Sequence, residues 1–318
     1  MTTSVAILDD YQEIALALGP WDELAGAVEV RAFHDHVEGH DALVERLAPF
    51  EVVVAMRERT PFPRELLERL SNLRLLVTTG RANAAIDVRA ASEAGIVVSG
   101  TGGLASPTVE LTWALIFGLC RNVCTEDRQI RAGGWQHTIG PELAGRTLGV
   151  VGLGRLGARV TAIAQAFEMD VIAWSENLDA EHASGLGVEA VAKGELFRRA
   201  DVITIHLKLS DRTRHLVGPE ELRAMKPTTY LINTSRGPIV QESALLAALR
   251  SGTIAGAALD VYDVEPLPPD HPLRSAPNTL LTPHLGYVST DNYETFYRGA
   301  VECIAGYLRG EPVRRLDG

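Results

Sequence analysis

Three segments in the second half of the chain each place a reactive side chain directly after a short apolar run. The side chains are the guanidinium of Arg236, the carboxylate of Glu265 and the imidazole of His284. A guanidinium binds a carboxylate in a planar pair and polarises a neighbouring carbonyl. An imidazole exchanges a proton near neutral pH, and a carboxylate beside it would fix the orientation of the ring. Together these residue types indicate reduction of a 2-oxo acid, although each alone is also a common loop residue.

A stretch upstream indicates where a hydride donor would bind. Residues 147–175 read as a strand, a glycine-rich turn, an amphipathic helix and a second strand, and the turn has glycines at GxGxxG spacing: Gly152, Gly154 and Gly157. In a dinucleotide site these glycines permit a tight turn, approach of the pyrophosphate and close helix–strand packing. The phosphates would bind the free N–H groups of Arg155 and Leu156. Because a nicotinamide would supply the hydride, we expect no metal in the site.

The residue that follows the second strand of this stretch bears on the choice of dinucleotide. NAD sites usually have Asp or Glu there, bound to the ribose 2′-hydroxyl. This chain has Ser175, followed by Glu176. Serine accepts either a hydroxyl or a phosphate, whereas Glu176 would repel a 2′-phosphate, and Arg212 and Arg214 lie only in a later loop. The sequence therefore favours NAD, with NADP as the alternative.

Composition limits the class of protein. The chain has 318 residues, enough for two domains, and its apolar content of 46% is ordinary for a globular protein. A net charge of −11 without a basic stripe disfavours nucleic acid and anionic membranes as partners. No apolar run is long enough to span a bilayer, and the first residues do not resemble a signal peptide. We therefore expect a cytoplasmic protein.

The cysteines and a histidine-rich stretch have plain structural interpretations. Cys120 and Cys124 lie in an apolar helical pattern and are expected to be buried and reduced, and Cys303 lies in the last helix. The nearby residues His34, His36 and His40 lie in an acidic, loop-like stretch without a cysteine partner. We expect solvated histidines there rather than a metal site.

Alternating apolar runs and helical patterns along the whole chain predict parallel sheets covered by helices. Arg57 follows the third predicted strand, and Arg81 and Ala82 follow the fourth. Ligands of such sheets bind beyond the carboxyl ends of the strands. Ser106 and Pro107 predict the N-cap and first position of an unusually apolar helix that continues to about Arg131, either deeply buried or in a subunit contact.

The segments GLGRLG, NTSRG, LDVYDVEP and TPHLG resemble those of the D-isomer-specific 2-hydroxyacid dehydrogenases, the group that contains phosphoglycerate dehydrogenase and glyoxylate/hydroxypyruvate reductase. The resemblance covers nearly the whole chain. It implies an α/β protein in which a Rossmann-type NAD(P)-binding domain, residues 101–287, is inserted in a flavodoxin-like substrate domain, residues 1–100 plus 288–318. It also implies hydride transfer between NAD(P)H and a 2-oxo acid to give a D-2-hydroxy acid, and a homodimer with residues 106–140 as its arm.

The resemblance also assigns roles to single residues. It makes Arg236, Glu265 and His284 the catalytic set, and it places the substrate carboxylate at the backbone of Arg81 and Ala82, with Arg57 as a neighbour. Cofactor contacts are implied, besides the three glycines, for Arg155, Leu156, Ser175, Thr234, Asp260 and Gly286. The chain departs from the family pattern at Ser175, at Lys208 where many relatives have proline, and in the loop at Arg81, which lacks a second glycine.

Two alternatives use the same scaffold. Formate dehydrogenases resemble this family but have an amide at the position of Glu265, so this carboxylate disfavours that activity. An NAD(H)-sensing protein like the related transcriptional corepressors would retain the same three catalytic residues, but the chain has no long disordered extension for recruiting partners.

Overall fold

The computed structural model describes residues 2–317, which form two compact units. One contains the residues up to Leu104 together with those from Val288 onward, and the other contains Ala105–Tyr287. The chain therefore leaves the first unit once and returns to it for its last segment. In the described residues, no helix is both long and apolar enough to cross a membrane.

The first unit is built on a five-stranded parallel sheet in the order β2-β1-β3-β4-β5. This is the strand order of flavodoxin-like folds. Strands β3 and β4 consist of apolar residues with a single terminal threonine and are buried at every position, as expected of strands covered on both faces. The strands are β1 (Thr3–Ile7), β2 (Val28–Ala32), β3 (Val52–Ala55), β4 (Leu75–Thr78) and β5 (Val97–Gly100), and the helices are α1 (Ala15–Leu18), α2 (His40–Leu47), α3 (Arg64–Leu67) and α4 (Val88–Glu93).

The last part of the chain completes this unit. A long helix, α12 (Thr290–Leu308), packs against β4 and β5 and buries Phe296, Tyr297 and Ile304. Helices α5 to α11 belong to the second unit. The tail beyond it lies along the outer edge of β5. There Arg315 forms an antiparallel bridge with Ser99, and the N–H of Leu316 donates to the carbonyl of Val98 at 2.9 Å.

The second unit contains a seven-stranded parallel sheet in the order β12-β11-β10-β9-β6-β7-β8. Its first six strands in chain order have the doubly wound Rossmann arrangement, so both sheets bear out the predicted α/β class. The strands are β6 (Thr147–Val151), β7 (Asp170–Trp174), β8 (Glu189–Ala190), β9 (Val202–Ile205), β10 (Tyr230–Asn233), β11 (Gly256–Leu259) and β12 (Thr279–Leu281). The helices are α5 (Ser106–Cys120), α6 (Val123–Arg131), α7 (Arg155–Ala166), α8 (Ala180–Gly185), α9 (Lys193–Arg199), α10 (Pro219–Ala224) and α11 (Glu242–Ser251).

The prediction of a single helix from Ser106 to about Arg131 is wrong in two respects. It begins one residue early, with Ala105 as its N-cap and Ser106 already helical, so Ser106 makes no capping bond. It also ends at Cys120, because Asn122 takes a left-handed conformation with φ of 53° and starts α6. Helix α5 is largely buried, whereas no residue of α6 is.

Two further expectations need correction. Cys124 is exposed rather than buried because it lies beyond the helix break, and all three cysteines are free. His34 and His40 are exposed as expected, but His36 is not simply solvated, because its Nδ1 lies 2.8 Å from the buried carboxylate of Asp9. Nδ1 of His34 lies 3.1 Å from the carbonyl of Asp10. These two side chains hold the loop after β2 against the end of β1.

Candidate active site

The glycine-rich turn after β6 has the geometry that a dinucleotide phosphate requires. Gly152 has a φ of 101°, and a Cβ there would lie 2.7 Å from the carbonyl of His206. A Cβ at Gly157 would lie 2.2 Å from the carbonyl of Gly152, so helix α7 packs directly on the turn. At Gly154, the N-cap of α7, a Cβ would meet no described atom within 4 Å, and no side chain caps the helix. Because the N-cap is a glycine, it has no side chain to bind the first N–H groups of α7, those of Arg155 and Leu156, and such groups can bind a pyrophosphate.

Ser175 and Thr234 each follow a strand of the same sheet as the glycine turn. Ser175 directly follows β7, and its carbonyl accepts a hydrogen bond from Leu178 in a tight turn. Thr234 follows β10, is buried, and its hydroxyl lies 2.9 Å from the hydroxyl of Thr112 on α5. Both therefore lie at the carboxyl edge of the sheet. Ser175 follows the strand next to β6 on one side, and Thr234 follows the strand two places from β6 on the other side.

Arg236 lies in a loop whose backbone is fixed by its neighbours. The side-chain amide of Asn233 donates to the carbonyl of Arg236, and the hydroxyl of Ser235 donates to the carbonyl of Ile205. A Cβ at Gly237 would lie only 2.1 Å from the carbonyl carbon of Tyr262. The loop that carries Arg236 is therefore packed directly on the segment that leads to Glu265.

Glu265 links that segment to His284. One carboxylate oxygen accepts the N–H of Tyr262 at 2.9 Å, and the other lies 2.6 Å from Nδ1 of His284. Since Nδ1 is engaged with the carboxylate, the second ring nitrogen, Nε2, is the one left to exchange a proton with a ligand. The His284 side chain is one-fifth exposed, so this nitrogen lies in a partly enclosed position.

Asp260 braces the loop that carries His284. Its carboxylate accepts hydrogen bonds from the hydroxyl of Thr282 at 2.6 Å, the N–H of Leu285 at 2.7 Å and the N–H of Gly286 at 2.8 Å. The side chain is fully buried, and burial raises the pKa of the carboxyl group while these bonds oppose the shift. Sequence reasoning identified Asp260 and Gly286 only as cofactor contacts and missed this bonding between them.

The remaining predicted residues lie in the first unit. The guanidinium of Arg57 donates to the carbonyl of Thr79 at 3.1 Å, and the side-chain amide of Asn83 donates to the carbonyl of Arg57. Gly80 has a φ of 98°, and a Cβ there would collide with the Arg57 guanidinium. The loops after β3 and β4 therefore interlock and bring Arg57 beside the exposed residues Arg81 and Ala82.

Two aromatic residues of the second unit were not identified from sequence. Tyr262 donates its hydroxyl to the carbonyls of Leu259 and Thr282 and so ties β11 to the His284 loop. The ring of Tyr287 lies against the imidazole of His284, with ring centroids 5.2 Å apart. The sequence signal that could have identified Tyr262 and Tyr287 was a bulky aromatic residue in an otherwise polar loop.

The class of protein is a nucleotide-dependent dehydrogenase. The parallel α/β fold has a glycine turn at the N-terminus of a helix, and the same unit contains a histidine–carboxylate pair. Comparison with known proteins agrees. Residues 113–286 match the model of the D-isomer specific 2-hydroxyacid dehydrogenase, NAD binding domain. A glyoxylate reductase of Aeropyrum pernix is 40% identical over 257 residues, 78% of this chain and 77% of that protein.

A phosphoglycerate oxidoreductase from Vibrio cholerae has a solved structure with a TM-score of 0.93 and 39% identity, covering 98% of this chain and all of that one. A D-3-phosphoglycerate dehydrogenase of Methanocaldococcus jannaschii is 37% identical over 275 residues, 85% of this chain but 52% of that protein. The chain belongs to the D-isomer specific 2-hydroxyacid dehydrogenase family. It is an NAD-binding oxidoreductase that interconverts 2-oxo acids and D-2-hydroxy acids, and these relatives give no support to the NAD(H)-sensor alternative.

Proposed function

We propose that Arg236, Glu265 and His284 perform this reaction on a small 2-oxo acid. The guanidinium of Arg236 binds the substrate carboxylate and polarises the carbonyl. The backbone of Arg81 and Ala82, with the Arg57 guanidinium beside it, also receives the carboxylate. The bound nicotinamide supplies the hydride in the reducing direction.

His284 transfers the proton in this proposal. In reduction, Nε2 gives a proton to the carbonyl oxygen, and in oxidation it takes the proton of the hydroxyl group. Glu265 fixes which nitrogen faces the substrate. The single observation that carries the proposal is the 2.6 Å contact between Glu265 and His284, with the opposite carboxylate oxygen held by the N–H of Tyr262.

The cofactor site of the proposal consists of the glycine turn, Arg155 and Leu156 for the pyrophosphate, and Ser175 for the adenosine ribose, with Thr234, Asp260 and Gly286 near the nicotinamide. NADH is the proposed working form. Glu176 is exposed beside Ser175 and would repel the 2′-phosphate of NADPH. The inserted residues 101–287 constitute the NAD-binding domain, and residues 1–100 plus 288–318 the substrate domain.

The substrate proposed for the first test is glyoxylate, with hydroxypyruvate next. The support is the 40% identity to a glyoxylate reductase over most of both chains. The D-3-phosphoglycerate dehydrogenase of Methanocaldococcus jannaschii is matched over only 52% of its length, so its substrate is ranked after glyoxylate.

The test is a spectrophotometric screen of glyoxylate, hydroxypyruvate, pyruvate and phenylpyruvate with NADH and NADPH in parallel. We expect turnover of a short 2-oxo acid, with a higher kcat/KM for NADH than for NADPH. His284→Ala should lower kcat by about 100-fold or more, because the general acid is lost, while NADH binding is retained.

The matched control for that variant is His271→Ala. Nε2 of His271 lies 3.1 Å from a carboxylate oxygen of Glu242, so the chain contains a second histidine–glutamate pair of similar form. This control should keep kcat within about two-fold. Equal turnover by His284→Ala and the unaltered enzyme would contradict the assigned proton donor.

We further propose that the protein is a cytoplasmic homodimer. The segment from α6 to Ile139 exposes four apolar side chains, Val123, Ile130, Trp135 and Ile139. An exposed apolar patch of this kind is typical of a protein contact surface. The three unpaired cysteines suit a reducing compartment.

A further inference from the structure

The hydrogen bond between Nδ1 of His284 and the carboxylate of Glu265 fixes one edge of the ring but does not by itself fix the plane of the ring. The χ2 angle of histidine is broad and roughly two-fold, so an imidazole with a single partner still tilts. Proton transfer needs Nε2 within hydrogen-bond reach of the substrate oxygen. A second contact on the ring is therefore needed to complete the orientation.

Tyr287 makes that contact. Its ring centroid lies 5.2 Å from that of His284, and the two planes meet at 70°, an edge-to-face arrangement. This separation is inside the range in which aromatic pairs attract one another beyond simple burial. Tyr287 is 8% exposed, so the contact is packed rather than open to water.

The backbone between the two rings is also fixed. Leu285 and Gly286 donate their N–H groups to the buried carboxylate of Asp260, and the carbonyl of Gly286 accepts the hydroxyl of Thr108 at 2.6 Å. The Tyr287 ring therefore has a defined place relative to the histidine three residues earlier. A ring held in this way gives the imidazole a second packed contact besides the carboxylate of Glu265.

We infer that Tyr287 is a positioning residue for the proton donor: its ring, and not its hydroxyl, holds the plane of His284. The inference rests on the proposed role of His284 in catalysis. It predicts that the aromatic ring at position 287 is required for a full kcat but not for binding of substrate or cofactor.

The test compares Tyr287→Ala with Tyr287→Phe. Removing the ring should lower kcat by about three- to ten-fold, the range expected for loss of one aromatic pair. The KM for the oxo acid and the Kd for NADH, measured by fluorescence, should stay within about two-fold. Tyr287→Phe retains the ring and should restore kcat. If Tyr287→Phe loses as much kcat as Tyr287→Ala, the hydroxyl is what matters and the inference is overturned.

A double-mutant cycle separates positioning from a general loss of stability. In the His284→Ala background, the further change Tyr287→Ala should leave the residual rate unchanged, because no ring remains to be positioned. Independent, multiplicative effects would contradict the inference. Tyr230→Ala, which removes a half-buried tyrosine from the start of β10, is the matched control: it should lower the melting temperature without this dependence on His284.

A spectroscopic measurement avoids turnover altogether. In the apo enzyme, the Cε1 proton resonance of His284, assigned by its loss in His284→Ala, should carry a ring-current shift from Tyr287. The shift should vanish in Tyr287→Ala and persist in Tyr287→Phe. A signal that is identical in all three Tyr287 forms would overturn the inference. Full activity of His284→Ala would instead refute the proposed function itself, so the two failures are distinguishable.

Discussion

His284 has a φ of 54°, in the left-handed region that non-glycine residues rarely adopt. Such a conformation persists only where the surroundings hold it, and it is concentrated at functional sites. Here the surroundings are the three hydrogen bonds that Asp260 accepts from the residues on either side of the histidine. The buried carboxylate of Asp260, which follows β11, thus holds the shape of the His284 loop, which follows β12.

Asp260→Asn tests this bracing. The amide nitrogen of asparagine cannot accept a hydrogen bond, so at least one N–H group of the His284 loop loses its partner in a buried position. Hydrogen bonds to a charged group contribute about 1.5–3 kcal/mol, and we expect kcat/KM to fall by about ten-fold or more and the melting temperature to fall with it. The exposed Asp270→Asn is the control and should change neither. An Asp260→Asn enzyme with unaltered kcat would show that the loop holds its shape without the carboxylate.

His206, directly after β9, makes the free energy of unfolding depend on pH. Burial lowers the pKa of its imidazole to about 4, Nε2 lies 2.9 Å from the hydroxyl of Thr204, and the buried Nδ1 has no hydrogen-bond partner among the described residues. The ring is therefore neutral in the folded protein, whereas the unfolded chain binds a proton near pH 6.5. Because the unfolded state binds more protons below this pH, this histidine lowers stability as the pH falls from about 6.5 toward 4.

The measurement is urea unfolding at pH 7.5, 6.0 and 5.0. Between pH 6 and 5 the contribution of His206 approaches about 1.4 kcal/mol per pH unit, and His206→Gln should lose this part of the slope. His137→Gln, which changes an exposed histidine, should keep it. A His206→Gln protein with the acid sensitivity of the unaltered protein would show that the proton is taken up elsewhere.

At the scale of the elements, the sequence predicted the strands well because most of them are buried on both faces. Such strands are continuous apolar runs, as in Val52–Ala55, and they can be recognised from the order of residues in the sequence. The break between α5 and α6 was missed because an asparagine, Asn122, and not a glycine or proline takes the left-handed conformation there. Strand β8 has only two residues, both exposed, so it has no periodicity by which a sequence pattern could reveal it.

In the candidate site, too, part of the structure could be predicted from the sequence and part could not. Motifs at strand ends were enough to predict that Glu265 would lie beside His284, because the carboxyl ends of neighbouring parallel strands share one edge of the sheet. The hydrogen bonds of Asp260 and the packing of Tyr287 depend on the path of the loops within that edge. No spacing rule in a single sequence encodes such a path.

The turn between β6 and α7 yields a prediction about cofactor binding. Gly154 has a φ of −89°, and a Cβ there meets no described atom, so Gly154→Ala should fold with an unchanged melting temperature. The added methyl group would occupy the space of the pyrophosphate, and we expect the Kd for NADH to rise by about ten-fold. Gly157→Ala should instead destabilise the fold, since its Cβ would lie 2.2 Å from the Gly152 carbonyl. Calorimetry and NADH fluorescence on both variants distinguish the two effects, and an unchanged Kd in Gly154→Ala would place the phosphates elsewhere.

At the scale of the whole molecule, the apolar surface from α6 to Ile139 determines the expected assembly. Trp135 is 72% exposed and Ile139 fully exposed, and their burial in a dimer would be favourable. The double variant Trp135→Ser with Ile139→Ser should convert a dimer to a monomer in light scattering coupled to gel filtration. Leu16→Ser, which removes an exposed apolar side chain of α1, should leave the dimer intact. A monomeric unaltered protein would contradict the proposed assembly.

The short tail that runs antiparallel along β5 has a consequence for solubility. A parallel sheet with a bare outer strand offers a row of unused backbone donors and acceptors, which recruits strands from other molecules. Here residues 315 and 316 occupy part of that row. Residues 315 and 316 thus cover backbone groups of an edge strand that would otherwise favour pairing with a strand of another molecule.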